Sequence, residues 1–140
     1  MQNRPMLTQQ DIMIKAYEID SVGIVSNIVY IKWFEDLRHV FLAKYYPYRE
    51  MMQSGISPML VKTEADYKAP LTITDMPTAR SWVSKMGKVK WEITIEVFSG
   101  DTVYCVGRQL GCFYDINNQC VTHIPERLKG AYEREISEGI

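Results

Sequence analysis

One stretch of this 140-residue chain has the wrong period for a strand. From about Ser26 to Tyr46, the apolar residues Tyr30, Phe34, Leu37 and Phe41 recur at helical spacing, and Val29, Trp33 and Val40 widen the same face. Apolar residues three and four apart line one side of an α-helix. Tyr46-Pro47 closes the segment, because proline pushes the residue before it out of helical geometry. A helix apolar over so broad an arc needs cover on more than one side.

Strand patterns surround it. Residues 11–19, DIMIKAYEI, are rich in β-branched and aromatic side chains and lack Gly and Pro, which predicts a strand. Beyond a polar connection carrying Gly55 and Pro58, strands are predicted over 59–68, 79–86, 88–98 and 102–114. The third is cleanest, with Val89, Trp91, Ile93, Ile95 and Val97 facing one way and Lys88, Lys90, Glu92, Thr94 and Glu96 the other. Turn signals at Met86-Gly87, Ser99-Gly100-Asp101 and Asn117-Asn118 leave loops of hairpin length between these runs. The predicted class is α+β, with an antiparallel sheet of about five strands curled around one long helix. Residues 1–140 read as a single domain, with no internal repeat or linker.

Composition narrows the function classes. Apolar residues make up 46% and charged residues 24%, and the formal net charge is −1, so neither disorder nor a nucleic-acid-binding surface is expected. The opening MQNRPMLTQQ lacks an apolar signal segment and no run approaches a membrane span, which makes the cytoplasm the expected location. Cys105, Cys112 and Cys120 form no CxxC pair, so buried free thiols on strands are expected instead of a zinc site or a disulfide. His39 and His123 have no second ligand or acid at a recognisable spacing and read as structural or surface residues.

The chemistry concentrates just before the helix, in DSVGIVSNIVYIKWFEDLR, Asp20 to Arg38. A helix N-terminus exposes backbone N–H groups that can hold a developing oxyanion. The acid Asp20 stands seven residues before such a donor at Asn27, with a second expected near Val25. An ionised carboxylate beside these donors could attack an acyl carbonyl directly or align a water for the attack. Asp20 read alone also suits a turn or helix cap, and Glu35, three residues before Arg38, suits a helix ion pair as well as a second catalytic carboxylate.

These residues resemble a family, the hotdog-fold acyl-CoA thioesterases and in particular their 4-hydroxybenzoyl-CoA thioesterase-like branch. That pattern is an Asp, a Gly two or three residues on, an apolar pair, and a Tyr opening a helix rich in Trp, Phe and Glu. Here Asp20, Gly23, Ile24-Val25, Asn27, Tyr30, Trp33-Phe34-Glu35 and Arg38 fill those places in order. Tyr67, Pro70 and Asp75 match a second signature between strands. The resemblance implies a hotdog fold, a helix wrapped by a curled sheet, and hydrolysis of small-molecule acyl-CoA thioesters without metal or cofactor. It implies Asp20 as nucleophile or base, the Asn27 amide as oxyanion donor, and Val25 and Tyr30 against the acyl group. It also implies a homodimer or homotetramer whose site lies between subunits.

Lys85, Lys88 and Lys90 flank the Gly87 turn in a region that resembles the place where related enzymes hold the phosphates of coenzyme A. Exposed lysines suffice for phosphate groups, and a solvated hairpin would show the same residues. Where relatives often carry His or Tyr-Pro after the Asp, this chain has Asn27-Ile28. A backbone N–H is kept there and an imidazole is lost, which disfavours a hydratase or dehydratase. The alternatives are a thioesterase acting on acyl carrier protein and a non-catalytic acyl-binding module on the same scaffold.

Overall fold

The computed structural model describes residues 4–138. The helical period becomes α1, Asn27–Tyr45, which buries Val29, Tyr30, Trp33, Phe34, Leu37, Phe41 and Leu42. The buried arc is as broad as the pattern predicts, except that Val40 stands at its rim, 36% exposed. Pro47 ends α1 and at once serves as N-cap of a short helix, α2, Tyr48–Gln53. Proline at a helix start loses no hydrogen bond, so the residue that breaks one helix begins the next.

Six strands form one antiparallel sheet: β1 Thr8–Asp11, β2 Ile56–Tyr67, β3 Thr78–Met86, β4 Trp91–Ser99, β5 Thr102–Asp115 and β6 Cys120–Thr122. Their spatial order is β1-β3-β4-β5-β2, with β6 added to the end of β5. The sheet wraps α1, so the long helix and antiparallel sheet expected of a hotdog fold are both present. Ala79, Ser81 and Val83 of β3, Ile93, Ile95 and Val97 of β4, and Cys105, Gly107 and Gln109 of β5 are buried on the face toward α1. Gly107 lies directly beneath the Phe34 ring, where a Cβ would collide with it. The outer face is polar: Arg80 bonds Glu96 at 2.8 Å, and Ser84 Oγ donates to the nearly buried Glu92 at 2.7 Å.

Several expectations need correction. Residues 11–19 do not form the first strand. Pairing with β3 ends at Asp11↔Thr78, and the chain then turns through a single 3-10 turn, Ala16–Glu18. The buried Glu18 explains the change, because one carboxylate oxygen accepts from the Lys15 N–H (2.8 Å) and the other from Trp33 Nε1 (3.1 Å). A helix, α3, Glu126–Glu138, follows β6, where the sequence patterns predicted no second helix. It buries Leu128 and Ala131, and Glu135 accepts from the Met6 N–H and the Tyr45 hydroxyl, joining both chain ends to α1. Cys105 and Cys112 are buried free thiols as expected, whereas Cys120 is exposed. No helix among the described residues is long and apolar enough to cross a membrane.

Candidate functional site

The loop from Ile19 to Ser26 is built by backbone bonds and one carboxylate. Ile19 and Val25 form an isolated bridge, and the Asp20 N–H donates to the Ile24 carbonyl at 2.8 Å. The Gly23 N–H returns to the Asp20 carbonyl at 3.2 Å with Gly23 at φ +86°, a conformation open to glycine and strained for other residues. Asp20 Oδ1 accepts from the N–H groups of Val22 (3.0 Å) and Ile24 (3.2 Å). The carboxylate thus does close a turn, as Asp often does. Its second oxygen, Oδ2, has no partner among the described residues, and the residue is exposed in the single protomer.

Glu18 and Leu71 fix this loop against the helix. The Ser26 N–H donates to the Glu18 carbonyl (3.0 Å) and the Val25 N–H to the Leu71 carbonyl (2.9 Å). The Val25 amide is therefore occupied, which corrects the expectation of an oxyanion donor near that residue. Ser26 caps α1 without a side-chain hydrogen bond to it, although serine there usually satisfies one of the first amides. Among the described residues no acceptor engages the Asn27 or Ile28 N–H groups. Those amides carry the positive end of the helix dipole.

Beside them opens a cleft of about 320 Å³, lined by Ile24, Val25, Asn27, Tyr30 and the segment Tyr67–Pro70. The Tyr67 hydroxyl donates to the Asn27 carbonyl at 2.9 Å, and its ring meets Tyr30 edge-on with centroids 5.3 Å apart. Burial, followed by the nearby Cys105 and Tyr67, pushes the Tyr30 phenol up to about 12, and burial also raises Tyr67. Both phenols stay protonated near neutral pH and can donate hydrogen bonds but not take protons. Asp75 closes its own turn by accepting from the Thr72 N–H and hydroxyl at 2.7 and 3.1 Å.

Val25, Asn27 and Tyr30 therefore share one cleft. Asp20 sits beside it, bonded to the lining residue Ile24. The three lysines do not join them. Lys85, Lys88 and Lys90 are exposed at the β3–β4 hairpin, where Met86, Trp91, Gly111 and Leu60 form one row across the sheet. The cleft end is marked by the row Ala79, Val97, Cys105 and Tyr67. Seven residues of β3 separate the rows, about 23 Å at the rise of a strand. Glu35 is exposed and ion-paired to Arg38, as the helix-pair reading had it. His39 stacks on Tyr48, and both His39 and His123 are exposed. Two residues escaped the sequence reading: the buried Glu18, hidden because an isolated Glu gives no sign of burial, and Lys68 on the cleft wall, for which adjacency to Tyr67 and Pro70 was the available signal.

Residues 14–132 match the family model of the thioesterase-like superfamily. The chain belongs to that superfamily. This thioesterase-like protein is 26% identical over 116 residues to a protein of Aquifex aeolicus (strain VF5) whose name assigns it provisionally to the esterases, covering 82% of this chain and 89% of that one. Among solved structures it resembles a thioesterase-superfamily protein of Jannaschia sp. CCS1, with a TM-score of 0.85, 16% identity and 96% of each chain covered. It also resembles a DHNA-CoA thioesterase of Staphylococcus aureus, with a TM-score of 0.80, 18% identity, and 95% and 90% of the two chains covered. At these identities the two structures bear on the fold, which is the hotdog arrangement.

Proposed function

We propose that this protein hydrolyses acyl-CoA thioesters to the free acid and coenzyme A. The observation that carries the reading is the start of α1: the Asn27 amide has no acceptor among the described residues, Asn27 lines the cleft, and a carboxylate is anchored one loop away. The thioester oxygen would lie against the Asn27 N–H, with the acyl group along Val25 and Tyr30. Asp20 Oδ1 is engaged by two amides, which leaves Oδ2 to act. Either Oδ2 takes a proton from a water that attacks the carbonyl carbon, or it attacks that carbon itself and water then cleaves the mixed anhydride. In both routes the C–S bond breaks and the thiolate of coenzyme A departs. An oxyanion donor of this kind contributes about 3 kcal/mol to the transition state.

A homodimer completes the site. Among the described residues β2 pairs only with β5, which leaves its other edge open along 12 residues, with Val61 69% exposed at a bulge between Leu60 and Lys62. An unpaired edge of that length is a template for another strand. Antiparallel pairing of β2 with its copy sets the hairpin end of one protomer at the cleft end of the other. Lys85, Lys88 and Lys90 then reach the phosphates of a coenzyme A held by the partner, which a single chain cannot achieve.

Release of free thiol from a panel of short, long and aromatic acyl-CoA esters tests the reading, with the same acyl groups supplied on acyl carrier protein. Faster release from coenzyme A is expected. Binding without release from any carrier would make the protein an acyl-binding module, and preference for the carrier protein would replace coenzyme A as the substrate handle.

A further inference from the structure

The Asn27 N–H belongs to the Ser26–Asn27 peptide unit, and one distant segment, residues 67–71, grips the chain on both sides of that unit. On one side the Val25 N–H donates to the Leu71 carbonyl at 2.9 Å. On the other, the Tyr67 hydroxyl donates to the Asn27 carbonyl, also at 2.9 Å. Between these anchors the Ser26 N–H is tied to the Glu18 carbonyl at 3.0 Å, and the Ser26 carbonyl accepts from the Val29 N–H at 3.0 Å. The amide assigned to the thioester oxygen is thus bracketed by bonded groups.

Tyr67 is itself held in place. It is the last residue of β2, and the two amides after it, Lys68 and Ala69, both donate to the Tyr104 carbonyl of β5, at 2.8 and 3.2 Å. Its ring meets Tyr30 edge-on with centroids 5.3 Å apart, and Tyr30 meets Trp33 in the same way at 5.1 Å. The Trp33 indole closes the circuit on the Glu18 carboxylate. Burial raises the Tyr67 phenol, so it remains a donor at neutral pH. The first turn of α1 has need of such support, because Ser26 supplies no side-chain hydrogen bond to it and helix ends open easily where their groups lack partners. In the helical pattern the Asn27 carbonyl also takes the Ile31 N–H, and a carbonyl oxygen has room for both donors.

We infer that Tyr67 is a positioning residue for the hydrolysis: its hydroxyl, by holding the Asn27 carbonyl, fixes the Asn27 N–H at the place where the thioester oxygen gains charge. This rests on the proposed acyl-CoA reading. An oxyanion donor is effective because it is already oriented when the charge develops and need not be reorganised at that moment. A first turn free to open would lose that advantage in the transition state far more than in the substrate complex. Loss of the hydroxyl therefore lowers kcat and leaves KM nearly as it was.

The test compares the wild type with Tyr67→Phe, which keeps the ring against Tyr30 and removes only the hydroxyl. Two quantities are measured on the intact protein: steady-state thiol release from the best substrate of the acyl-CoA panel, and hydrogen exchange of the backbone amides of α1. In the variant kcat is expected to fall about tenfold or more, with KM changed by less than about twofold. The Ile31 N–H should exchange about tenfold faster, while the mid-helix Leu37 N–H keeps its wild-type rate. An unchanged kcat would overturn the inference. So would a raised KM with kcat kept, or a lowered kcat with Ile31 exchange unmoved, since either assigns the hydroxyl to contact with the substrate. Equal acceleration at Ile31 and Leu37 would overturn it as well, by showing a general loss of stability. Absence of thiol release by the wild type from every ester would overturn the hydrolase reading and the inference with it, whereas equal turnover by the wild type and Tyr67→Phe would overturn the inference alone.

Discussion

Glu18 shows how much a single side chain can fix. It is 7% exposed and its two oxygens join the Lys15 amide to the Trp33 indole, so the loop bearing Asp20 is held to the helix that supplies the amides. Glu18→Ala leaves two donors stranded and should cost about 2–3 kcal/mol of stability, whereas Trp33→Phe loses one hydrogen bond and should cost about 1 kcal/mol beyond any repacking. Chemical denaturation checks both. Burial also pushes the Cys105 thiol up to about 12 from an ordinary 9.0, and Tyr30 up to about 12 from 10.0. The unfolded chain loses these protons first as pH rises. The contribution of both groups to stability is therefore intact below about pH 9 and is lost between there and pH 12. Melting temperatures across that range should fall less steeply in Cys105→Ala than in the wild type, and parallel curves would contradict the assignment. On the hairpin, Lys88→Ala with Lys90→Ala should raise KM for a coenzyme A substrate several-fold and leave kcat nearly unchanged.

At the scale of elements, α1 sits so close on β5 that Gly107 leaves no room for a side chain under Phe34. Gly107→Ala drives a methyl into the Phe34 ring and should destabilise by about 1–3 kcal/mol. Pairing it with Phe34→Leu should recover part of that loss, and a double-mutant cycle measures the coupling. Such a fit is invisible in a hydrophobic pattern, which distinguishes faces but not the side chain that occupies each gap. What the pattern does carry is period: the arc from Val29 to Leu42 and the alternation from Trp91 to Val97 both returned in the structure. It failed at residues 11–19, where β-branched residues suggested a strand and a buried Glu–Trp bond made a 3-10 turn. It failed again at α3, whose polar sequence buries only Leu128 and Ala131. Of the candidate site, the linear order of Asp20, Val25, Asn27 and Tyr30 was legible because local turns and a helix start bring near neighbours together. The occupied Val25 amide was not, since its acceptor, Leu71, comes from a distant loop.

At the scale of the molecule, one protomer holds its cleft and its lysines at opposite ends of the sheet, so the account requires two copies paired along β2. Sedimentation or light scattering should report twice the chain mass. Val61→Glu, which sets a charge on the open edge, should shift that mass toward the monomer and reduce hydrolysis together with it. In the proposed dimer the pairing would supply the phosphate contacts, but bond cleavage itself is assigned to one carboxylate. The most direct measurement is thus the turnover of a single good acyl-CoA substrate by Asp20→Asn beside the wild type, with melting temperatures compared in the same buffer. The account predicts a fall on the order of 10³-fold in kcat, as for loss of a nucleophile or base, with the melting temperature little changed. Turnover equal to the wild type in a folded Asp20→Asn protein would contradict it.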